Sequence, residues 1–112
     1  MDRQWSREHD RRIAERVEDW KVIELANGKL VRSIDHGPIP EYNTDTLRAI
    51  DTIEKWRKQS PDRRTWHLSS GARFFACEAN DGGRIFGCDF YSETMAEALA
   101  WVVWDAARRD HE

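Results

Sequence analysis

The segment from Thr94 to Arg109 is a predicted helix that carries apolar side chains on two of its sides. At 3.6 residues per turn, one stripe along this helix is formed by Met95, Leu99, Val102, Val103 and Ala106. Trp101 and Trp104 fall on the flank and back of the same helix, beside Glu97 and Arg108. A helix that is apolar on two sides has to pack against two partners, so this segment strongly constrains the fold.

A chain of 112 residues is long enough for one domain with one hydrophobic core. We expect a single domain over residues 1–112, in which 1–40 form a helix and a hairpin and 43–109 form the main core. Its apolar runs fall well short of the roughly 18 residues that a membrane span needs, and its charged start lacks the apolar stretch of a signal peptide. These features predict a cytoplasmic protein with no membrane association.

Two further helices are predicted upstream of the closing one. The first begins at Ser6, a favourable N-cap, and ends at Glu18 or Trp20. The central helix begins after an N-cap at Asn43 and ends near Lys58, before a proline. Its predicted apolar stripe consists of Leu47, Ile50, Ile53 and Trp56.

A hairpin is predicted between these two helices, around Asn27-Gly28. This dipeptide favours the positive φ angles of a type I′ turn. Such a turn would set Leu25 opposite Leu30 and Ile23 opposite Arg32.

After residue 64 the apolar period changes to two, which predicts three strands over 65–70, 72–79 and 84–91. With Asp81-Gly82 at the tip of the last hairpin, Phe75 faces Cys88 and Cys77 faces Phe86 on the side that helices cover. The opposite face carries Phe74, Ala76 and Ile85, and we expect partial cover there from the N-terminal hairpin or a second subunit. The predicted fold is therefore α+β, a small antiparallel sheet packed with three helices in the order α-ββ-α-βββ-α.

Three separated stretches of the chain resemble one family. They are Arg12 to Lys21, Glu41 to Trp56, and Ser92 to Ala106. In this order they resemble the opening, central and closing helices of the small phage and prophage proteins that have a phage ABA sandwich domain. The resemblance implies a phage or prophage origin and a mixed, layered fold. The family has no established catalytic or binding residues, so the resemblance implies none here.

The sequence contains no pattern that is typical of a catalytic or metal site. The four histidines are scattered, without the spacing by which zinc ligands converge on one site. No serine, cysteine or threonine stands in a recognisable nucleophile motif. Cys77 and Cys88 both fall in predicted strands, where they are expected to be reduced and buried. We therefore expect a protein that is not an enzyme and uses no cofactor or metal.

Binding to nucleic acid is the alternative function. Four basic residues gather beside Trp66, namely Arg57, Lys58, Arg63 and Arg64, and the helix, three strands and helix follow the order of a double-stranded RNA-binding domain. Against this alternative, the net charge is −3, and the closing helix starts with Glu93 and Glu97, which would repel phosphate.

Trp101 and Trp104 leave two interpretations open. The first helix or the hairpin covers them, or they form a surface for self-association, since aromatic residues are enriched at interfaces. We expect a phage accessory protein that binds a host protein or a small ligand, for example to counter a host defence. If the second interpretation of the two tryptophans holds, it also forms a homodimer through the closing helix.

Overall fold

The computed structural model of the protein describes residues 4–87 and 91–109. It has three helices and two small antiparallel sheets, in the order predicted from the sequence. The helices are α1 (Arg7–Arg16), α2 (Thr46–Lys58) and α3 (Met95–Arg109). The strands are β1 (Val22–Glu24), β2 (Leu30–Arg32), β3 (Arg64–Ser70), β4 (Phe75–Asp81), β5 (Arg84–Phe86) and β6 (Tyr91–Ser92). No described helix combines the length and the apolar character that crossing a membrane requires.

The closing helix α3 lies at the centre of the molecule. It contacts α1, α2 and the strand β4, so it is covered on several sides. Its buried apolar residues are Ala96, Ala98, Leu99, Ala100, Trp101, Val102, Val103, Ala106 and Ala107. Alanine recurs among them because a helix with several neighbours needs short side chains where those neighbours approach closely.

The main sheet has the order β3-β4-β5, and β6 pairs with β4 beyond the end of β5. One face of this sheet packs under the helices and carries Cys77, Ala79 and Phe86, which are all buried. The ring of Phe86 meets the ring of Trp56 from α2 edge to face, with 6.2 Å between centroids. The predicted assignment of Cys77 and Phe86 to the helix-covered face is therefore confirmed.

The predicted register of the last hairpin is wrong by two residues. Ala79 pairs with Phe86 and Asp81 with Arg84, which leaves Gly82-Gly83 at the tip. Both glycines have positive φ angles, as the two central positions of a type I′ turn require. A shift of two residues preserves the faces, because side chains alternate with a period of two. The predicted strand over 84–91 is divided into β5 and β6, while Cys88 and Phe90 lie outside the described residues.

The N-terminal hairpin differs from its prediction by one residue. Ile23 pairs with Val31 and Glu24 with Leu30, so Leu25 is not opposite Leu30. The turn is a three-residue loop in which Gly28 alone has positive φ, at 85°. A type I turn followed by one left-handed residue accounts for this geometry, and it needs only one glycine.

The central helix begins later than predicted. Its N-cap is Asp45, whose carboxylate accepts a hydrogen bond from the backbone N–H of Arg48, and not Asn43. This start turns Leu47 to solvent, where its side chain is 81% exposed. The residues of α2 that are buried are Ala49, Thr52, Ile53 and Trp56. The first helix also ends earlier than predicted, at Arg16, and Asp19 beyond it adopts a positive φ of 58°.

Candidate binding surface

The first helix covers the two tryptophans of α3. Trp101 is only 5% exposed and Trp104 is partly buried. The rings of Trp5 and His9 meet the ring of Trp101 edge to face, each at 5.0 Å between centroids, and His9 lies 4.9 Å from Trp104. The sequence left open whether the N-terminal segment covers these tryptophans or whether they form a surface for self-association. In the structure, Trp5 and His9 of the N-terminal segment cover them. We call Trp5, His9, Trp101 and Trp104 the aromatic cluster.

A buried carboxylate fixes α1 in this position. Asp10 is almost fully buried, and its oxygens accept hydrogen bonds from the Trp5 indole (2.9 Å), the backbone N–H of Tyr42 (3.0 Å) and the guanidinium of Arg7 (2.7 Å). Burial raises the pKa of Asp10, and these three donors oppose the rise. The carboxylate thereby links the start of α1, the tryptophan before it and the loop before α2.

The tryptophan that precedes α1 uses a polar version of a common helix-start contact. Trp5 stands one residue before the N-cap Ser6, and Asp10 is the fourth helical residue. A hydrophobic pair often joins these two positions and fixes the direction in which the chain enters the helix. Here the indole N–H donates to the Asp10 carboxylate, which leaves the apolar rim of Trp5 free to pack against Trp101.

We predict that the aromatic cluster makes the protein less stable in mild acid. Burial lowers the pKa of His9 below its ordinary value of 6.5, and Nδ1 of its ring accepts a hydrogen bond from the Ser6 backbone N–H. The unfolded chain therefore takes up this proton more readily than the folded one. The stabilising contribution is complete above pH 6.5 and is lost as the pH falls toward the lowered pKa of the folded state.

Urea unfolding between pH 5 and pH 7.5 measures this effect, with His9→Phe as the variant that keeps a ring but does not titrate. We expect the free energy of unfolding of His9→Phe to depend less on pH than that of the wild type. His36→Asn is the matched control, because His36 is exposed and asparagine tolerates its positive φ of 56°. An equal pH dependence in the wild type and His9→Phe would contradict the assignment.

The predicted basic patch is largely neutralised by carboxylates. Arg57 pairs with Glu54 on α2. Arg63 and Arg64 both lie beside the buried carboxylate of Asp81, with N–O distances of 3.3 and 3.1 Å.

Arg64 and Lys58 differ in how accessible their charges are to a ligand. Arg64 also donates to the carbonyl of Trp56, and its guanidinium lies 4.8 Å from the centroid of the Trp56 ring. It holds α2 to the sheet and is mostly buried, whereas Lys58 is exposed. The structure therefore brings Arg63 and Arg64 together but gives both of them an internal carboxylate.

The described residues contain no group of three or more histidine, cysteine or acidic side chains that could hold a metal ion. Cys77 is a free thiol in the core, and burial raises its pKa to about 12, so it stays protonated and unreactive.

Burial also raises the pKa of Tyr42, whose hydroxyl donates to Glu18. Lys55 donates to the same carboxylate at 3.1 Å. Glu18 thereby links the segment that follows α1 to α2 and to the loop before α2.

The face of the main sheet that points away from the helices is not covered by any of the described residues. We call it the outer sheet face, and it carries Thr65, His67, Ser69, Ala76, Glu78, Asn80, Ile85 and Tyr91. Phe74 directly precedes β4 and its carbonyl accepts a hydrogen bond from the backbone N–H of Gly71, so alternation continued one residue beyond the start of β4 places it at the border of the same face. Three large apolar side chains are therefore exposed on this face or at its border, Phe74 at 51%, Ile85 at 52% and Tyr91 at 71%. The N-terminal hairpin packs beside α1 instead, so the partial cover expected from that hairpin is not found.

The sequence indicated two of these three residues. Phe74 and Ile85 follow from the alternation of side chains along the predicted strands. Tyr91 was missed, although the same alternation continued from Ile85 would have placed it on this face. His67 faces Glu78 across β3 and β4, with 3.7 Å between Nε2 and the carboxylate.

Depressions lie on both halves of the described surface. One on the outer sheet face has a volume of about 160 Å³ and is bordered by His67, Glu78 and Ile85. Two grooves in the N-terminal half measure about 360 Å³ beside Trp20 and about 520 Å³ beside Arg7. In these two grooves the guanidinium groups already bind within the chain, Arg32 to Asp35 and Arg7 to Asp10.

Comparison of the chain with models of known protein families, with curated proteins and with solved structures finds no match.

Proposed function

We propose that this protein is a non-enzymatic accessory protein of a phage or prophage that binds a host protein through the outer sheet face, for example to counter a host defence. The observation that carries this proposal is the exposure of Phe74, Ile85 and Tyr91 on one uncovered face or at its border. Exposed apolar side chains that share one face are typical of protein interaction sites, and aromatic residues are enriched there. The phage origin is supported by the resemblance of the three helical stretches.

The shape of the outer sheet face favours a protein partner over a small ligand. Sites for small molecules are clefts of about 300 to 1,000 Å³ that enclose most of the ligand. The depression beside His67 and Ile85 holds about 160 Å³ and is open to solvent. A partner with its own convex apolar side chains would gain more from such a surface than a metabolite would.

The charges near this face do not favour nucleic acid. Glu78 lies at its centre, and Arg63 and Arg64 at its border are directed to Asp81. A phosphate backbone is bound mainly by cations that are free to replace its counterions. The nucleic-acid alternative therefore has weaker support than binding to a protein.

The test compares what the immobilised full chain captures from a bacterial lysate with what two variants capture. We expect the wild type to retain a defined host protein, and Ile85→Lys combined with Tyr91→Lys to reduce its capture by about tenfold or more, because central interface residues commonly contribute about 2 kcal/mol or more. Leu47→Ser is the matched control, since it removes an exposed apolar side chain from α2.

Three readouts decide the outcome. Thermal unfolding of both variants verifies that they are folded. Equal capture by the wild type and the double lysine variant would overturn the proposed surface. Retention of RNA or DNA that weakens steeply with salt and is lost on charge reversal at Arg63 and Arg64 would instead support the nucleic-acid alternative.

A further inference from the structure

The strand β3 is an open edge of the main sheet. Within the described part of the chain it pairs only with β4. The backbone N–H of Gly71 donates to the carbonyl of Phe74 at 2.9 Å, and that of Gly82 to the carbonyl of Arg63 at 3.0 Å. These two bonds involve Gly71 and Arg63, which flank β3 and are both odd-numbered. Hydrogen-bonded and non-hydrogen-bonded pairs alternate along an antiparallel ladder, so the backbone groups of the odd-numbered residues of β3 bond to β4. The backbone groups that point out of the sheet include those of Trp66, Leu68 and Ser70.

This edge lacks three of the features by which proteins protect an exposed strand, although it begins with a charged residue, Arg64. It has seven residues in an unbroken register with β4, so it contains no bulge, and its sequence includes neither lysine nor proline. The opposite border of the sheet is different, since β5 has three residues and β6 has two. Among the described strands of this sheet, β3 is therefore the one whose free edge is long enough to take another strand.

We propose that two copies of this chain join through their β3 strands, which pair in antiparallel fashion about a two-fold axis at His67. The sheet then continues from one copy into the other, and the helices of both copies lie on the same side of it. The inference does not depend on the proposed function, because the pairing uses backbone groups at the edge of the sheet, which binding to a host protein does not require.

The apolar side chains of β3 select this register. An axis at His67 places Trp66 opposite the partner's Leu68 and Leu68 opposite the partner's Trp66, in pairs that exchange backbone hydrogen bonds. Trp66 and Leu68 are both only partly buried against the core of their own chain. Each would gain a cross-strand apolar neighbour, so the pairing buries the surface that the monomer leaves half covered.

The polar side chains of β3 are compatible with the same register. Arg64 comes to lie opposite the partner's Ser70, and Thr65 opposite the partner's Ser69, so the strand's arginine does not face another cation. A shift of two residues would pair Trp66 or Leu68 with its own copy and shorten the overlap. A shift of one residue would turn the apolar side chains to the opposite face. The edge is thus complementary to itself when it is centred on His67.

The axis residue provides a specific test. His67 is exposed, and at the axis its side chain would face the partner's His67 in the closely spaced, non-hydrogen-bonded position. Light scattering on the purified full chain should give about 26 kDa for the wild type, twice the 13.2 kDa of one chain. His67→Lys and His67→Glu should each give the mass of one chain, since equal charges would face each other at the axis.

Mixing the two variants is the decisive step. We expect equal amounts of His67→Lys and His67→Glu to restore the doubled mass, because opposite charges then meet at the axis. Ile85→Lys is the matched control, because it adds a lysine to the outer sheet face away from the β3 edge and should keep the doubled mass. Circular dichroism and thermal unfolding verify that all variants are folded.

The other outcomes would overturn the inference. A wild type with the mass of one chain would show that β3 remains unpaired. An unchanged doubled mass in His67→Lys would show that the copies join elsewhere. A loss of the doubled mass in Ile85→Lys alone would assign the contact between copies to the outer sheet face.

Discussion

Trp101→Ala is expected to lower the free energy of unfolding by about 3 to 5 kcal/mol, the range for truncation of a large aromatic residue in a packed core. The side chain is 5% exposed and contacts the rings of Trp5, His9 and Trp104. Its removal would leave a cavity between α1 and α3 that these rings cannot fill without leaving their positions. Such a loss is a large part of the about 5 to 15 kcal/mol that keeps an ordinary domain folded.

Urea unfolding followed by circular dichroism measures the loss, with Trp104→Ala as the matched control on the same helix. Trp104 is only partly buried, so we expect a smaller cost of about 1 to 2 kcal/mol for its truncation. Trp101→Phe keeps an aromatic ring and should recover part of the stability if Trp101→Ala fails to fold. The assignment would be contradicted by a loss below about 1 kcal/mol in Trp101→Ala, or by a change in the mass of the folded particle.

Gly87→Ala is expected to destabilise the protein by about 2 to 5 kcal/mol for two separate reasons. Gly87 has a positive φ of 83°, which costs a residue with a Cβ about 1 to 2 kcal/mol. A Cβ at this position would lie 2.3 Å from Cγ2 of Val102 and 2.7 Å from the carbonyl oxygen of Cys77. Neither neighbour is free to move, since both belong to the core, and overpacking of this kind costs about 1 to 3 kcal/mol more.

Gly28→Ala separates the two contributions. Gly28 has nearly the same backbone angle, with φ at 85°, but nothing lies within 4 Å of a Cβ built there. We therefore expect Gly28→Ala to lose about 1 to 2 kcal/mol, which is the backbone part alone. Equal losses in the two variants, measured by urea unfolding, would show that β4 and α3 move apart to admit the extra carbon at Gly87.

The order and type of the elements could be predicted because they depend on short-range patterns. A change of apolar period from about 3.6 to two marks the passage from α2 to the strands, and alternation placed Cys77 and Phe86 on the covered face. That assignment survived a register error of two residues, since only an odd shift moves side chains to the other face.

The strand registers and the cap of α2 could not be predicted with the same success, whereas the predicted N-cap of α1, Ser6, is confirmed. In both cases neighbouring residues are equally suited to the same position. Asn43 and Asp45 can each cap α2, and either 81–82 or 82–83 can form the hairpin tip. The choice depends on what the neighbours need. Asp81 serves as a partner for Arg63 and Arg64, so it lies in the strand and not in the turn.

For the candidate surface, the sequence by itself determined that α3 needs partners on two sides and that Phe74 and Ile85 share one face of the sheet. Both conclusions follow from periodicity, which the order of residues contains. Only the tertiary structure decided which element covers Trp101 and which face stays open. Asp10 binds Trp5 and Arg7, which are near it in the sequence, and also Tyr42, which is distant. These hydrogen bonds hold Trp5 against Trp101, so α1 packs on α3 and away from the sheet. A contact between residues distant in sequence leaves no periodic trace, and for that reason it appears only in the folded molecule.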